Sequence, residues 1–263
     1  MRSTIVTRVV GAELRRAGAV GGVRRGVITC LVISLLAGVG MTIVARTPSL
    51  QETLGLRVAD IGGAATLAAL MVVTVMTSNY VTRDIDQGVM AGAKLWVPWT
   101  MELFFGRLLA WGVLTVCVSL LPALVCAVIA RVAGVSGQGI VMDLVAILVA
   151  SAATSAAGLL VYLGALILRK GAYVVTASLF LLVILPLIFA AISALVPPIT
   201  DAARAASAAL IGTLLIQAVT LPGTVDSATG SSFAGAWIGL ALWLVAAGFL
   251  AYKSFAQESY GSR

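Results

Sequence analysis

The sequence predicts an all-α, polytopic membrane protein, and two observations carry that prediction. Six long apolar stretches, Gly26–Ala45, Ile61–Thr82, Leu108–Ala130, Leu144–Leu168, Gly171–Thr200 and Ser227–Tyr252, contain no Asp, Glu, Lys or Arg. Most of the positive charge lies on one side of the zigzag they make. A helix rises about 1.5 Å per residue, so roughly 20 apolar residues cross a hydrocarbon core of about 30 Å. Each stretch is long enough. Backbone in lipid must satisfy its own hydrogen bonds; unbroken apolar runs do so as helices, whereas barrel strands alternate. The 263 residues are 61% hydrophobic and 10% charged, with a mean hydropathy of +1.11. A soluble domain carries about 25% charged residues.

The location of the charge matters more than its net value of +7. With the N-terminus in the cytoplasm, 13 Lys and Arg fall in the inner segments 1–25, 83–107, 169–170 and 253–263, and 4 fall outside. This bias predicts both termini inside. It faces acidic lipid and calls for no nucleic acid. The expected organisation is an interfacial arm over 1–25, a six-helix membrane domain over 26–255 and a short cytoplasmic tail over 256–263. No cleavable signal peptide is expected, because the first apolar run is of full spanning length.

In the arm, Ile5, Val6, Val9, Val10 and Leu14 recur at helical spacing against Arg8, Glu13, Arg15 and Arg16. That pattern predicts an amphipathic helix on the inner membrane face, the alternative being a basic retention flank. Gly21 and Gly22 are expected to bend the chain into the first span. Between spans two and three, Arg83, Asp84 and Asp86 form a charged cluster followed by Gly88 and Gly92. Trp96, Pro98 and Trp99 then open a short interfacial helix, Pro98–Arg107, with Pro98 suited to a first helical turn and the tryptophans to the headgroup layer; a solvated loop is the competing reading. Near the chain's other end, Ala205–Leu221 is almost long enough to span. The charge bias favours an outer re-entrant or interfacial helix ended by Pro222-Gly223.

Chemistry is sparse. With no histidine, triads, zinc sites and proton relays built on that residue are excluded. Gly134-Val135-Ser136-Gly137 resembles an intramembrane protease motif but has no general base beside it. No P-loop occurs, so ATP has no site of that kind here. Asp143 is the one carboxylate expected to approach the membrane interior, as a functional acid or, more simply, as a helix-start residue. Pro122 and Pro186 sit inside spans three and five as candidate kinks. Ser151–Gly158 and the pair Gly235 and Gly239 permit close helix approach, within a subunit or between two. Cys30, Cys117 and Cys126 read as small apolar packing residues; Cys117 and Cys126 lie on opposite faces of one helix, which precludes a disulfide between them. No sequence repeat relates the two halves, which disfavours an inverted-repeat transporter.

Four segments together resemble the ABC type-2 transporter permease family, particularly small actinobacterial-type members. Glu13-Leu14-Arg15-Arg16 is similar to its interfacial signature. Met76–Gly88 resembles the stretch closing its second span. Val97-Pro98 followed by Gly106-Arg107-Leu108-Leu109 resembles the approach to its third, and Leu163–Arg169 with Leu185-Pro186-Leu187 its fourth and fifth. Asn79 stands where the family usually has Glu, leaving Arg83, Asp84 and Asp86 to carry any equivalent contact.

The resemblance implies a bacterial plasma-membrane permease that is not itself an enzyme and holds no cofactor, with ATP and Mg bound by a separate cytoplasmic ABC ATPase. It implies a dimer with a second copy or a paralogue, and export of a drug, antibiotic, peptide or lipid. Arg83, Asp84, Asp86, Trp96, Trp99 and Glu102 would dock the ATPase, assisted by Glu13, Arg15 and Arg16 of the arm. The substrate-binding residues are not specified. A secondary transporter or channel, and a non-transporting scaffold or sensor subunit, are the competing classes. Reporter fusions after Arg263 and within Ser227–Ser232 are expected to read inside and outside respectively; a C-terminal reporter found outside overturns the six-span topology.

Overall fold

The computed structural model describes residues 2–89, 92–93, 100–195, 209–219 and 233–257. The described chain is all-helical and contains six helices long and apolar enough to cross a membrane. The protein is a polytopic all-α membrane protein.

Helix α1 (Arg2–Ala19) is the expected amphipathic arm. It turns Val9 and Ala17 inward and leaves Arg8 and Arg15 exposed. The break before α2 (Gly21–Arg46) lies at Val20, whose backbone is extended at φ −75°, ψ 114°. The expected glycine bend is therefore corrected by one residue: Gly21 and Gly22 are already helical. Helix α3 (Pro48–Leu54) starts on a proline that needs no donor there, and stops at Gly55 in the left-handed region at φ 57°.

Helix α4 (Val58–Asp86) is stapled at its start by the Arg57 backbone N–H donating to Asp60 Oδ2 at 2.8 Å. Helix α5 (Thr100–Val132) runs without interruption through Arg107 into the third span. The expected separate helix Pro98–Arg107 is thus corrected: its described part, from Thr100, is the first two turns of the span itself. Helix α6 (Ile140–Leu168) ends at Arg169, which takes φ 58° as a C-cap, and the Arg169 guanidinium donates to Ser254 Oγ at 3.2 Å.

The fifth span is composite. Helix α7 (Gly171–Leu179) passes through a π-helical turn, Phe180–Ile184, into α8 (Leu185–Leu195). Two further helices are described, α9 (Ile211–Val219) and α10 (Phe233–Gln257). At about 1.5 Å per residue, the nine residues of α9 cover less than half a bilayer core. Its Ile211, Leu214 and Leu215 share a core cluster with Leu70, Ala153 and Ala157, which lie near the middle of α4 and α6. The described part of this helix therefore lies at mid-bundle depth and not at an interface. Residues 205–208 and 220–223 of the expected helix lie outside the described residues.

Helices α4 and α6 form the centre of the bundle. In their most apolar 18-residue stretches 56% and 61% of residues are buried, against 6% and 11% for the fifth and sixth spans. Small side chains make the centre possible. Ser155 and Gly158 of α6 meet Thr115 of α5, with a 2.8 Å hydroxyl contact between Thr115 and Ser155. Gly239 packs on Leu214 of α9, so this small residue serves contact within the chain.

Asp143, in the first turn of α6, is buried and pairs with Arg131 Nη2 at 2.6 Å while accepting the Gln138 N–H at 3.2 Å. It ties the preceding loop to the first turn of α6. The Ser136 carbonyl in the same loop accepts the Val58 N–H at 3.1 Å. All three cysteines are free thiols; Cys30 and Cys126 are buried and Cys117 is exposed.

Helices α2 and α5 touch where Gly38 faces Cys126, and a Cβ at Gly38 would lie 2.6 Å from the Cys126 Cβ. Gly38→Val is expected to destabilise the bundle by about 1–3 kcal/mol through overpacking, measured by thermal unfolding in detergent. Gly40, which has open space at its Cβ, is expected to accept valine nearly neutrally.

Candidate functional site

At the end of the bundle where α1 docks, four charges are gathered from three helices. Glu13 and Arg16 come from α1, Asp84 from the last turn of α4 and Arg107 from α5. Arg107 Nε lies 2.8 Å from Glu13 Oε1, and its Nη1 is 3.8 Å from Asp84 Oδ2. Arg16 hydrogen-bonds Asp84 through Nη2 and reaches Glu13 Oε2 with Nη1 at 3.5 Å. Two positive and two negative groups alternate, so the cluster carries no net charge. Burial alone would lower the Arg16 pKa. The Asp84 hydrogen bond, with the neighbouring Tyr80, Asp84 and Glu13, outweighs that and holds it raised.

The helices deliver these groups by simple spacing. On α5 the buried positions Leu103, Phe104, Arg107, Ala110 and Trp111 follow the i, i+3/i+4 rhythm of one face. On α4 the same rhythm aligns Thr77, Tyr80, Val81 and Asp84. On α1 the side that carries Val9 and Ala17 brings Glu13 and Arg16 with it. Gly106 permits the approach, since a Cβ there would sit 2.6 Å from Val9 Cγ1.

An aromatic floor closes the cluster toward the bundle. The Tyr80 hydroxyl donates to Glu13 Oε2 at 3.0 Å. The Tyr80 ring stacks on Trp111 at 4.7 Å and 17°, and the Arg16 guanidinium lies over the Tyr80 ring with Cζ 5.5 Å from its centroid. Trp111 donates Nε1–H to Thr77 Oγ1 at 2.9 Å and leans on Tyr162 of α6 at 5.9 Å. A cavity of about 10 Å³ adjoins Glu13, Tyr80, Arg107 and Tyr162. That is at the lower limit, about 10–15 Å³, for admitting a single water. The Arg107 Nε and Nη1 atoms make charge contacts rather than aligned hydrogen bonds.

This arrangement corrects two expectations. Asp143 was the one carboxylate expected to approach the interior, yet Glu13 and Asp84 are also withdrawn from water, with side chains 13% and 6% exposed. Asp84 was expected to offer its charge to a partner, and it is turned inward and neutralised by Arg16 and Arg107. The remaining candidates are placed differently. Arg83, Asp86 and Arg15 are exposed, Arg15 donating Nε–H to the Gly11 carbonyl at 3.1 Å, and Glu102 is partly buried in the first turn of α5. Trp96 and Trp99 lie outside the described residues. Pro122 is buried within a continuous α5, and Pro186 follows directly on the π-helical turn.

Sequence reasoning missed the pairing of Arg107, Tyr80 and Trp111 with the arm. Their helical spacing with buried apolar neighbours was the available signal. Among the described residues no group of three His, Cys, Asp or Glu side chains is placed to hold a metal ion. The cluster has no nucleophile–base pair; what it offers is a charge-neutral mechanical joint between an arm and two spans. No family model matches the chain, and no curated protein matches it.

Removing one partner of a buried pair strands the other, at a cost of about 3–5 kcal/mol. Arg107→Met is expected to lower stability by about that amount. Tyr80→Phe, which loses one hydrogen bond to a charged acceptor, is expected to cost about 1.5–3 kcal/mol. A double-mutant cycle on Arg107 and Glu13 is expected to show coupling of about 0.5–3 kcal/mol in thermal unfolding, and additivity would refute the joint.

Proposed function

We propose that this protein is the membrane-spanning permease subunit of an ATP-driven ABC exporter that moves an amphipathic or lipophilic substrate outward. One observation carries the reading: the charge-neutral joint that ties the amphipathic arm to spans two and three. An arm lying outside the bundle and locked to two of its spans is suited to receive a push from a cytoplasmic partner. The push reaches α5 through Glu13 and Arg107, and α4 through Arg16 and Asp84. Rigid-body coupling of this kind needs no ionisable group deep in the membrane.

The charge pattern supports the orientation this requires. Arg8, Arg15, Arg24, Arg25, Arg83, Lys170 and Lys253 are exposed at the joint end, where acidic inner-leaflet lipid would hold it. Arg83, Asp86 and Glu102, with Trp96 and Trp99, are the proposed docking surface for the ATPase; Asp84 no longer belongs to it. The exposed flank of the sixth span is where a second permease copy or paralogue would pack. ATP and Mg belong to the partner, and the setting is a bacterial plasma membrane.

Co-reconstitution with its ATPase tests this. Export is expected to require the partner and ATP. Conservative Arg107→Gln, if inserted and folded, is expected to reduce export per ATP hydrolysed by about tenfold, the scale of a typical coupling energy. Export from liposomes holding this chain alone would establish a secondary transporter or channel. Stable partner binding without export of any tested amphiphile would favour a scaffold.

A further inference from the structure

A second cavity begins at Val161, the chain neighbour of Tyr162 in the floor of the joint. It lies between α6, α7, the π-helical turn and α9 and has a volume of about 110 Å³. Eleven residues line it: five on α6, among them Val161 and Gly164, three on α7, Leu181 and Leu182 in the π-helical turn, and Ile211 on α9. Ser178 is the one polar side chain among the lining residues. Leu181 is 37% exposed and Gly164 and Ser178 are half-buried, so the cavity opens on the flank of the bundle. That flank faces hydrocarbon.

The wall is built around a helix irregularity. In the π-helical turn the Leu185 N–H bonds to the Phe180 carbonyl, one residue further back than in an α-helix. Pro186 has no N–H, so the Leu182 carbonyl lacks its usual intrahelical donor. Helix α9 seats Gly212 against that carbonyl, and a Cβ there would overlap the Leu182 oxygen and lie 2.8 Å from Pro186 Cγ. Irregular backbone at membrane depth is tolerated where protein covers it or where it lines a cavity. Both conditions hold here.

We propose that this cavity is an intramembrane binding site for the end of a hydrocarbon chain, entered from the bilayer. Size decides the ligand class. A volume of about 110 Å³ is below the roughly 150 Å³ that accommodates benzene, and well below the roughly 300 Å³ at which drug-sized pockets begin. A chain end fits while the rest of the amphiphile stays in the leaflet. The lining supplies apolar contact along the chain, with the Ser178 hydroxyl able to meet one polar substituent. The inference concerns binding alone and stands whether the protein exports, conducts or scaffolds.

The test uses the full chain in lipid nanodiscs and a long-chain fatty acid with a terminal diazirine. Light-induced adducts mapped by mass spectrometry are expected to concentrate on the wall segments around Val161, Gly164 and Leu181. An excess of the unlabelled fatty acid is expected to compete them away. Gly164 has open space at its Cβ, so Gly164→Phe and the smaller Gly164→Leu fill the cavity without a built-in clash. Excluding two or three methylenes is expected to lower wall labelling by about tenfold or more. Gly248→Phe, equally unobstructed on α10, is expected to leave it unchanged.

Wall labelling no denser than that of exposed Leu36 and Ile43 on α2 overturns the proposal, as does failure of the competitor in the wild-type protein. So does full labelling in a Gly164 variant whose thermal transition shows it is folded. Because the competition arm needs no variant, misfolding of both substitutions still leaves a decisive result.

Discussion

Ionised groups leave water at a cost of several kcal/mol each, and only close opposite charges offset it. That constraint organises the end of this protein where the arm docks. Glu13, Arg16, Asp84 and Arg107 alternate in sign, so the single charges that α4 and α5 contribute are each neutralised by the arm. Helix α1 has a modest apolar face of its own, with Val9 and Ala17 fully turned in. Apolar burial places the arm beside α5, and the charges set its register. Neither alone would hold an arm to the bundle at one rotation.

The same logic governs backbone groups deeper in the bundle. Each span proline strips a donor from the carbonyl four residues earlier. In α5 that carbonyl belongs to Val118, and the Cys30 thiol of α2 approaches it at 4.0 Å. In the fifth span it belongs to Leu182, and Gly212 of α9 is packed directly over it. A central proline is thus answered by a neighbouring span and a peripheral one by α9, with the cavity beside it.

Function follows from how these two regions divide the molecule. The spans packed through Ser155, Gly158 and Thr115 make a stiff centre. The arm joint sits at one end of that centre, while the mostly exposed fifth and sixth spans lie on its flank. A stiff core with a charged handle and a loosely packed flank is the mechanical layout the exporter reading calls for. Among the described residues no Asp, Glu, Lys or Arg lies in the middle of a span.

Spans and arm were readable because they depend on local chemistry. An apolar run of 20 or more residues has one stable form in lipid, and Ile5, Val9, Leu14 against Arg8 and Arg15 declares its two faces directly. The fate of Asp84 and Arg107 was not readable in that way. Charges at the ends of spans usually face water or headgroups, so Asp84 looked like a surface group and Arg107 like a flank. Whether such a group turns inward depends on a partner of opposite sign at the right height on another helix, 68 residues away for Arg16 and Asp84. Periodicity shows which side of a helix a residue occupies; only packing decides what stands opposite. The six spans were therefore settled by sequence alone, whereas the joint, the bulge under Gly212 and the cavity beside it arise from tertiary contact, because each is a property of two or more helices meeting.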